Sequence, residues 1–180
     1  YLSQTIDDFR NFIKGGDAKT LLNISLLFER TLSIIRPNLK SNYIEIVSDI
    51  SKELSINGYE NELMQAFINI INNSKDALVE NKELGDKYIF IEAKLVNDKC
   101  EIIIKDNGGG IMQSAINRIF EPYFTTKHQS QGTGLGLSMT YKIITEKHEG
   151  AITASNVSYK YNEKEYVGAC FKTIISIGTK

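Results

Sequence analysis

Four groups of residues have types and spacings that can do chemistry. Gln65, Asn69, Asn73, Asp76 and Glu80 are spaced 4, 4, 3 and 4, which puts them on one stripe of a helix. Asn is a weak helix former, yet Asn69, Asn72 and Asn73 fall mid-pattern. A carboxamide oxygen is also a hard ligand suited to Mg²⁺, which takes few protein ligands and keeps waters and phosphate oxygens. The plain alternative is the solvent-facing side of a core helix.

The second group is Asp106-Asn107-Gly108-Gly109-Gly110-Ile111, directly after an apolar strand-like run. Glycines let a backbone turn tightly against a planar ligand. A carboxylate at a strand end can accept from an exocyclic amine such as that of adenine. An ordinary Asp-Asn-Gly turn has the same sequence. The third group, Gly132-Thr133-Gly134-Leu135-Gly136-Leu137-Ser138, opens a helical pattern. Loop amides converging on a helix start make an anion site. It is not a P-loop, because no GxxxxGK[ST] occurs, nor a dinucleotide fingerprint, because the polar segment before it is not a strand. The fourth is Arg118 to Lys127, where Phe120, Tyr123 and Phe124 bracket Pro122. It reads as a lid from which Lys127 brings a point charge to a phosphate, or as a surface loop pinned by its two Phe residues.

These groups need elements to position them. Leu2, Ile6, Phe9 and Ile13 form a short a/d seam over Tyr1 to Lys14, and Gly15-Gly16-Asp17 breaks it. The pattern then predicts a helix over Thr20–Ile35 bounded by Pro37, a strand over Tyr43–Ile50 and a long helix over Asn61–Glu83. A hairpin follows, Tyr88–Val96 and Cys100–Lys105 about an Asn97-Asp98 turn. A short helix near Ala115–Ile119, a helix from the second Gly cluster to about Lys147, and strands over Ala151–Val157 and Val167–Ile177 complete the order. Strands in hairpin runs favour an α+β two-layer sandwich, a mixed, mostly antiparallel sheet with helices on one face.

Composition excludes several classes. The 180 residues suit about one domain, 42% are hydrophobic, and 21 basic against 22 acidic side chains leave a net charge of −1. A disordered chain or a strongly basic nucleic-acid binder looks different. No run of 18 apolar residues occurs and no signal peptide is visible. Cys100 and Cys170 lack CxxC neighbours, which fits a reducing compartment. A chain beginning at Tyr reads as a fragment.

In this order the four groups resemble the ATP-binding domain of two-component sensor histidine kinases, in the superfamily of gyrase, heat-shock chaperones and mismatch-repair ATPases. The resemblance runs from Lys19 to Ile177. Asn69 to Ser74 is similar to the N box, Asp106-x-Gly108-x-Gly110 to the G1 box, Phe120 to Phe124 to the F box, and Gly132 to Gly136 to the G2 box. His148-Glu-Gly150 and Gly168 to Phe171 stand where that family often has further motifs. It implies an ATP site between helices and a lid, with ATP and Mg²⁺ as cofactors. Asn73 would hold the metal with Asn69 close by, Asp106 would read adenine, and Gly108, Gly110 and Ile111 would shape its pocket with Phe120. Gly132, Thr133, Gly134, Leu135, Gly136 and Leu137 would wrap the phosphates, and Lys127 would reach them; Asn73 and Lys127 would be the catalytic pair. Asp76 departs from the family's frequent Lys or Arg, and Tyr59 from its frequent acid after a Gly.

The resemblance also bears on the reaction. Members that hydrolyse ATP carry Glu four residues before the N-box Asn, as a base. Asn69 stands there and cannot act as one, which favours transfer of the γ-phosphoryl group to histidine. The alternatives are a water-attacking ATPase module and a non-catalytic module kept for partner contacts. The only histidines are His128, in the lid segment, and His148, read as a structural cap. Residues 1–16 would therefore end a second dimerisation helix, with the acceptor upstream, and 17–180 would form the catalytic domain. The implied partners are the histidine-bearing helices of a homodimer and a response-regulator receiver domain, with no nucleic acid and no direct membrane contact. The implied location is cytoplasmic, with anchoring of a longer parent in the inner membrane left open.

Overall fold

The computed structural model describes residues 18–126 and 132–178. The seam over Tyr1–Lys14, the Gly15-Gly16-Asp17 break with its domain boundary, Lys127 and His128 lie outside the described residues. The elements in order are β1 (Thr20–Asn23), α1 (Ile24–Ser41), β2 (Ile44–Ile50), β3 (Ser55–Gly58), α2 (Glu60–Glu80), β4 (Lys87–Val96) and β5 (Lys99–Asp106). After the glycine loops come α3 (Gly136–Lys142), which runs on as a π-helical turn over Ile143–Lys147, then β6 (Ala151–Tyr161) and β7 (Lys164–Ser176).

β2-β4-β5-β7-β6 form a five-stranded sheet, and β1 and β3 a small antiparallel pair. Only β2 and β4 are parallel within the larger sheet. A parallel pair needs a long crossover, and β3 with α2 supplies it. Cys100, Ile102, Ile104 and Asp106 are the buried alternate positions of β5. They share a face with Ile89, Ile91 and Ala93 of β4, their cross-strand partners being paired in register. The apolar sides of α1 and α2 complete this core, where Phe28 stacks on Phe67 at 4.8 Å. This is the expected α+β sandwich.

Four expectations on boundaries are corrected. Thr20–Asn23 is a strand, not the first turn of a helix, because its backbone pairs with Ser55–Gly58. Neither strand is long enough to show a period of two. Pro37 lies inside α1 rather than bounding it. It and Ser33 are exposed, so the carbonyl that loses its amide partner can bond water. The stretch around Ala115–Ile119 is a chain of turns, with bonds such as Ala115 N to Met112 O at 2.9 Å and Arg118 N to Ala115 O at 2.8 Å. The last two strands run longer than expected, meeting at an Asn162-Glu163 turn with φ of 46° and 64°, as type I′ hairpins require.

Asn23 caps α1. Its Oδ1 accepts from Leu26 N at 3.0 Å while Nδ2 donates to Lys52 O at 2.6 Å. Asn23→Ala is expected to cost about 1–2 kcal/mol in urea denaturation. Asn23→Asp, which keeps the capping oxygen, should recover most of that; equal losses would place the stabilisation in the Lys52 bond instead.

His148 joins α2 to the π-turn. A backbone N–H can only donate, so Nε2 accepts from Tyr59 N at 3.0 Å, and Nδ1–H donates to Ile143 O at 2.7 Å. The structural cap read from the sequence is present. Burial holds the ring's pKa below 6.5, against the opposing effect of the Ile143 bond. As pH falls, the unfolded chain takes up this proton first. The stabilising contribution is whole above about 6.5 and lost from there down to the folded value. Urea midpoints measured from pH 7.5 to 5.5 should fall, with part of that slope removed in His148→Gln; an unaltered slope would assign it to other groups.

Candidate functional site

A cleft of about 700 Å³ opens between α2, the end of β5 and the two glycine loops. Asp106 is its most constrained residue. As the last inward position of β5 it is 1% exposed. Its Oδ1 accepts from Gly108 N at 2.9 Å and Ala169 N at 3.2 Å, while Oδ2 is buried with no hydrogen-bond partner. Burial pushes the carboxyl's pKa up, and the Gly108 amide, the Ser74 hydroxyl and the Ala169 amide oppose it. Tyr159 Oη donates to Asp106 O at 2.8 Å. A Cβ at Gly168 would overlap that same carbonyl oxygen, so only glycine lets β7 pass this close to the aspartate.

The helix α2 forms one wall through Asn69, Asn72, Asn73, Asp76 and Glu80. Gln65, the first residue of the expected stripe, does not line the cleft. Asn73 Nδ2 donates to Asn69 O at 2.8 Å, which leaves the carboxamide oxygen as the atom able to ligate a cation. Asn69 Nδ2 donates to Gly136 O at 3.1 Å and Thr140 Oγ1 at 3.4 Å. It bolts α2 to the start of α3 as well as facing the cleft.

The opposite rim is the second glycine loop and the start of the lid. Gly132, Thr133, Gly134, Gly136 and Leu137 line it, together with Phe124. Tyr123 N donates to Gly134 O at 2.9 Å, so the two ends of the lid are clasped. Gly134 has φ of +67°, and a Cβ there would lie 2.5 Å from the Tyr123 carbonyl carbon. Arg118 stacks over the Phe124 ring at 4.6 Å.

Gly110 and Ile111 also line the cleft; Gly108, Phe120 and Leu135 do not. Gly108 acts from behind through its amide on Asp106. Phe120 packs against Tyr141 and Phe171, with ring centroids 5.5 and 6.5 Å away. Leu135 O receives the Met139 amide at 2.9 Å. Three asparagines hold the turn after Asp106. Asn156 grips Ile111 through Oδ1 to its N at 2.7 Å and Nδ2 to its O at 2.8 Å. Buried Asn107 accepts from Tyr88 N at 2.7 Å and donates to Asp86 O at 2.8 Å. Asn81 donates to Gly108 O at 3.3 Å. Of these, Asn81 and Asn156 were not singled out from sequence; an Asn within a strand, where the type is depleted, was the available signal at 156.

Among the described lining residues there are three carboxylates (Asp76, Glu80 and Asp106) and no Lys or Arg. Asp76 pairs with Lys75 at 3.2 Å. No group of three or more His, Cys, Asp or Glu among the described residues could hold a metal ion. The cleft thus combines an unpaired buried acceptor at its floor, the carboxamide oxygen of half-buried Asn73 on one wall and a glycine-rich backbone on the rim. It suits a ligand with an amino-bearing planar end and an anionic end that brings its own cation.

Comparison with known proteins agrees. Residues 58–177 match the family described as Histidine kinase-, DNA gyrase B-, and HSP90-like ATPase. The two-component sensor PprA of Pseudomonas aeruginosa is 34% identical over 132 residues, and sporulation kinase A of Bacillus subtilis 36% over 135. These alignments cover 72% and 74% of this chain but only 14% and 21% of the relatives. The chain therefore spans about a fifth or less of those proteins' length. Among solved structures, the catalytic domain of histidine kinase ThkA superposes with a TM-score of 0.73 at 26% identity, covering 89% of this chain and 96% of that one. ThkA in complex with the response regulator protein TrrA gives 0.68 at 20% identity, covering 99% and 48%, a likeness of fold. The chain belongs to the family of histidine kinase-, DNA gyrase B- and HSP90-like ATPases.

Proposed function

We propose that this domain binds ATP with Mg²⁺ in the cleft and transfers the γ-phosphoryl group to a histidine on the dimerisation helices of a sensor kinase, for relay to a response-regulator receiver domain. The observation that carries this reading is Asp106 Oδ2, a buried acceptor without a partner at the cleft floor. An unpaired buried acceptor is unfavourable, and the adenine amino group would satisfy it. The relatives named sensor and kinase, and the ThkA–TrrA assembly, support the class of reaction and of partner.

The chain's own contributions follow. Asp106 accepts from the base amine, held in place by Gly108, Ala169 and Tyr159. Asn73 presents a carboxamide oxygen to the cation, which supplies charge neutralisation at the phosphates. The amides of Gly132 to Gly136 orient the phosphates, with Lys127 assigned to them from the lid. Asp76, where the family often has a cation, adds none, so the metal and the amides carry more of the phosphate charge. Asn69 cannot take a proton from water, and its amide is committed to Gly136 and Thr140. That favours a histidine acceptor over hydrolysis, since a neutral imidazole nitrogen attacks with less help from a base than water does. The chemistry is positioning and charge stabilisation.

Calorimetry should find ATP binding that requires Mg²⁺ for full affinity. Asp106→Asn is expected to lower affinity at least tenfold, because an amide offers a donor beside the base amine, and Asn73→Ala should remove the Mg²⁺ dependence. Binding unchanged in both variants overturns the assignment. Gly134→Ala, forced against Tyr123, should weaken binding of ATP with little change in the urea midpoint; a large loss of stability would instead make the clasp part of the core. Phosphorylation of separately supplied histidine-bearing helices tests the acceptor, and steady hydrolysis by the domain alone would favour the water-attacking reading.

A further inference from the structure

Two ties hold α2 against α3, and the first is His148, 5% exposed. Its Nε2 accepts from Tyr59 N at the start of α2, and its Nδ1–H donates to Ile143 O where α3 passes into the π-turn. The second tie is at the far end of the pair. Asn69 Nδ2 donates to Gly136 O at 3.1 Å, and Thr140 Oγ1 to Ala66 O at 3.3 Å. That end is the cleft itself, since Asn69 and Gly136 line it. Tyr59, the N-cap of α2, makes no side-chain cap, so the imidazole is what secures this end of the helix. A Cβ at Gly58 would lie 2.9 Å from Nε2, and its absence lets the ring approach.

The first tie exists in one protonation state only. Nε2 must be bare to accept from an amide. Lys19 and Lys147 set their ammonium groups 5.7 and 5.9 Å from the centre of the Tyr59 ring, which meets the imidazole edge-on at 5.6 Å. Glu62, the carboxylate that faces the ring, is already paired with Lys147 at 2.6 Å. Burial disfavours the imidazolium most; Lys19 and Lys147 add to that, against Ile143 O and Glu62. A proton on Nε2 would set two donors against each other 3.0 Å apart, so the ring must turn away and Tyr59 N loses its acceptor.

We propose that His148 is a positioning residue for the nucleotide cleft: its neutral ring clamps the start of α2 to the end of α3, and the imidazolium releases that clamp and loosens ATP. This rests on the nucleotide reading above and adds a proton that opposes ATP. The coupling runs along the helices. Asn69 and Asn73 ride on α2 and Gly136 on α3, so a change in the angle between the two moves the cation ligand relative to the phosphate rim. By linkage, bound ATP in turn keeps the ring neutral. Affinity is whole above about pH 6.5 and falls as pH drops through the folded ring's own titration, which burial places lower than that.

ATP with Mg²⁺ is titrated into wild type and His148→Gln from about pH 7.5 to 5.5, with circular dichroism confirming the fold at each point. Glutamine keeps an acceptor for Tyr59 N and a donor for Ile143 O but does not titrate. Protonation of ATP and of Asp106 therefore cancels between the two proteins. Wild type should lose about three- to tenfold more affinity than His148→Gln across this range, since one linked proton allows at most about tenfold per pH unit. The His148 ring, followed by NMR, should also titrate at lower pH with ATP bound than without. The chain has one other histidine, His128, so His128→Gln leaves a single ring to follow even where His148→Gln does not fold. Parallel affinity profiles, or a ring that titrates identically with and without ATP, overturn the role of His148 while leaving ATP binding intact. Failure of wild type to bind ATP at the upper end of the range overturns the nucleotide reading itself.

Discussion

The site depends on one costly arrangement, a carboxylate kept under the end of a sheet with only half of its acceptors used. Burying a charged group without partners is strongly unfavourable, and the surroundings of Asp106 are organised around offsetting that. Gly108 and Ala169 each give an amide to Oδ1. Gly168 gives up its side chain so that β7 can approach, and Tyr159 fixes the carbonyl. The turn that follows is held by hydrogen bonds from Asn81, Asn107 and Asn156. Each device is local, but together they come from β6, β7, the end of α2 and the turn itself, so the aspartate's position is set by several elements at once.

The same logic explains why α2 is both core and wall. Leu63, Phe67, Ile70, Ile71 and Leu78 are fully buried, while Asn69, Asn73 and Asp76 turn to the cleft. The helix is fixed at both ends of its working stretch. His148 and Lys147 hold its first turn, through Tyr59 N and Glu62 at 2.6 Å, and Asn69 ties its middle to α3. A helix so anchored presents its polar residues with little freedom, as electrostatic positioning requires.

Much of this was legible in the sequence, for physical reasons. The stripe on α2 spans about four helical turns, long enough for its period to show. Asp106 is the last member of an alternating run, so its inward direction follows from Cys100, Ile102 and Ile104. What escaped had no such period. β1 and β3 are four residues each and exist through pairing with one another. Pro37 was read as a stop, which fails where the helix face meets water. Phe120 was placed in the ligand pocket by likeness of motif, yet its ring fills space under α3. Asn156 announces itself only by what it touches in three dimensions.

The small β1–β3 sheet carries a mechanical consequence. Leu21 pairs with Asn57, Ile177 bridges to Ile56, and Gly178 N donates to Ser55 O at 3.1 Å. The first described strand and the last described residues, Ile177 and Gly178, are thus fastened to the same four-residue strand β3. Tension drawn between residues 18 and 178 would load that short seam and pass around the five-stranded sheet. The cleft, which lies beyond α2, is off the load path, so a pull on the domain can open its corner while the aspartate, the asparagines and the glycine rim keep their places.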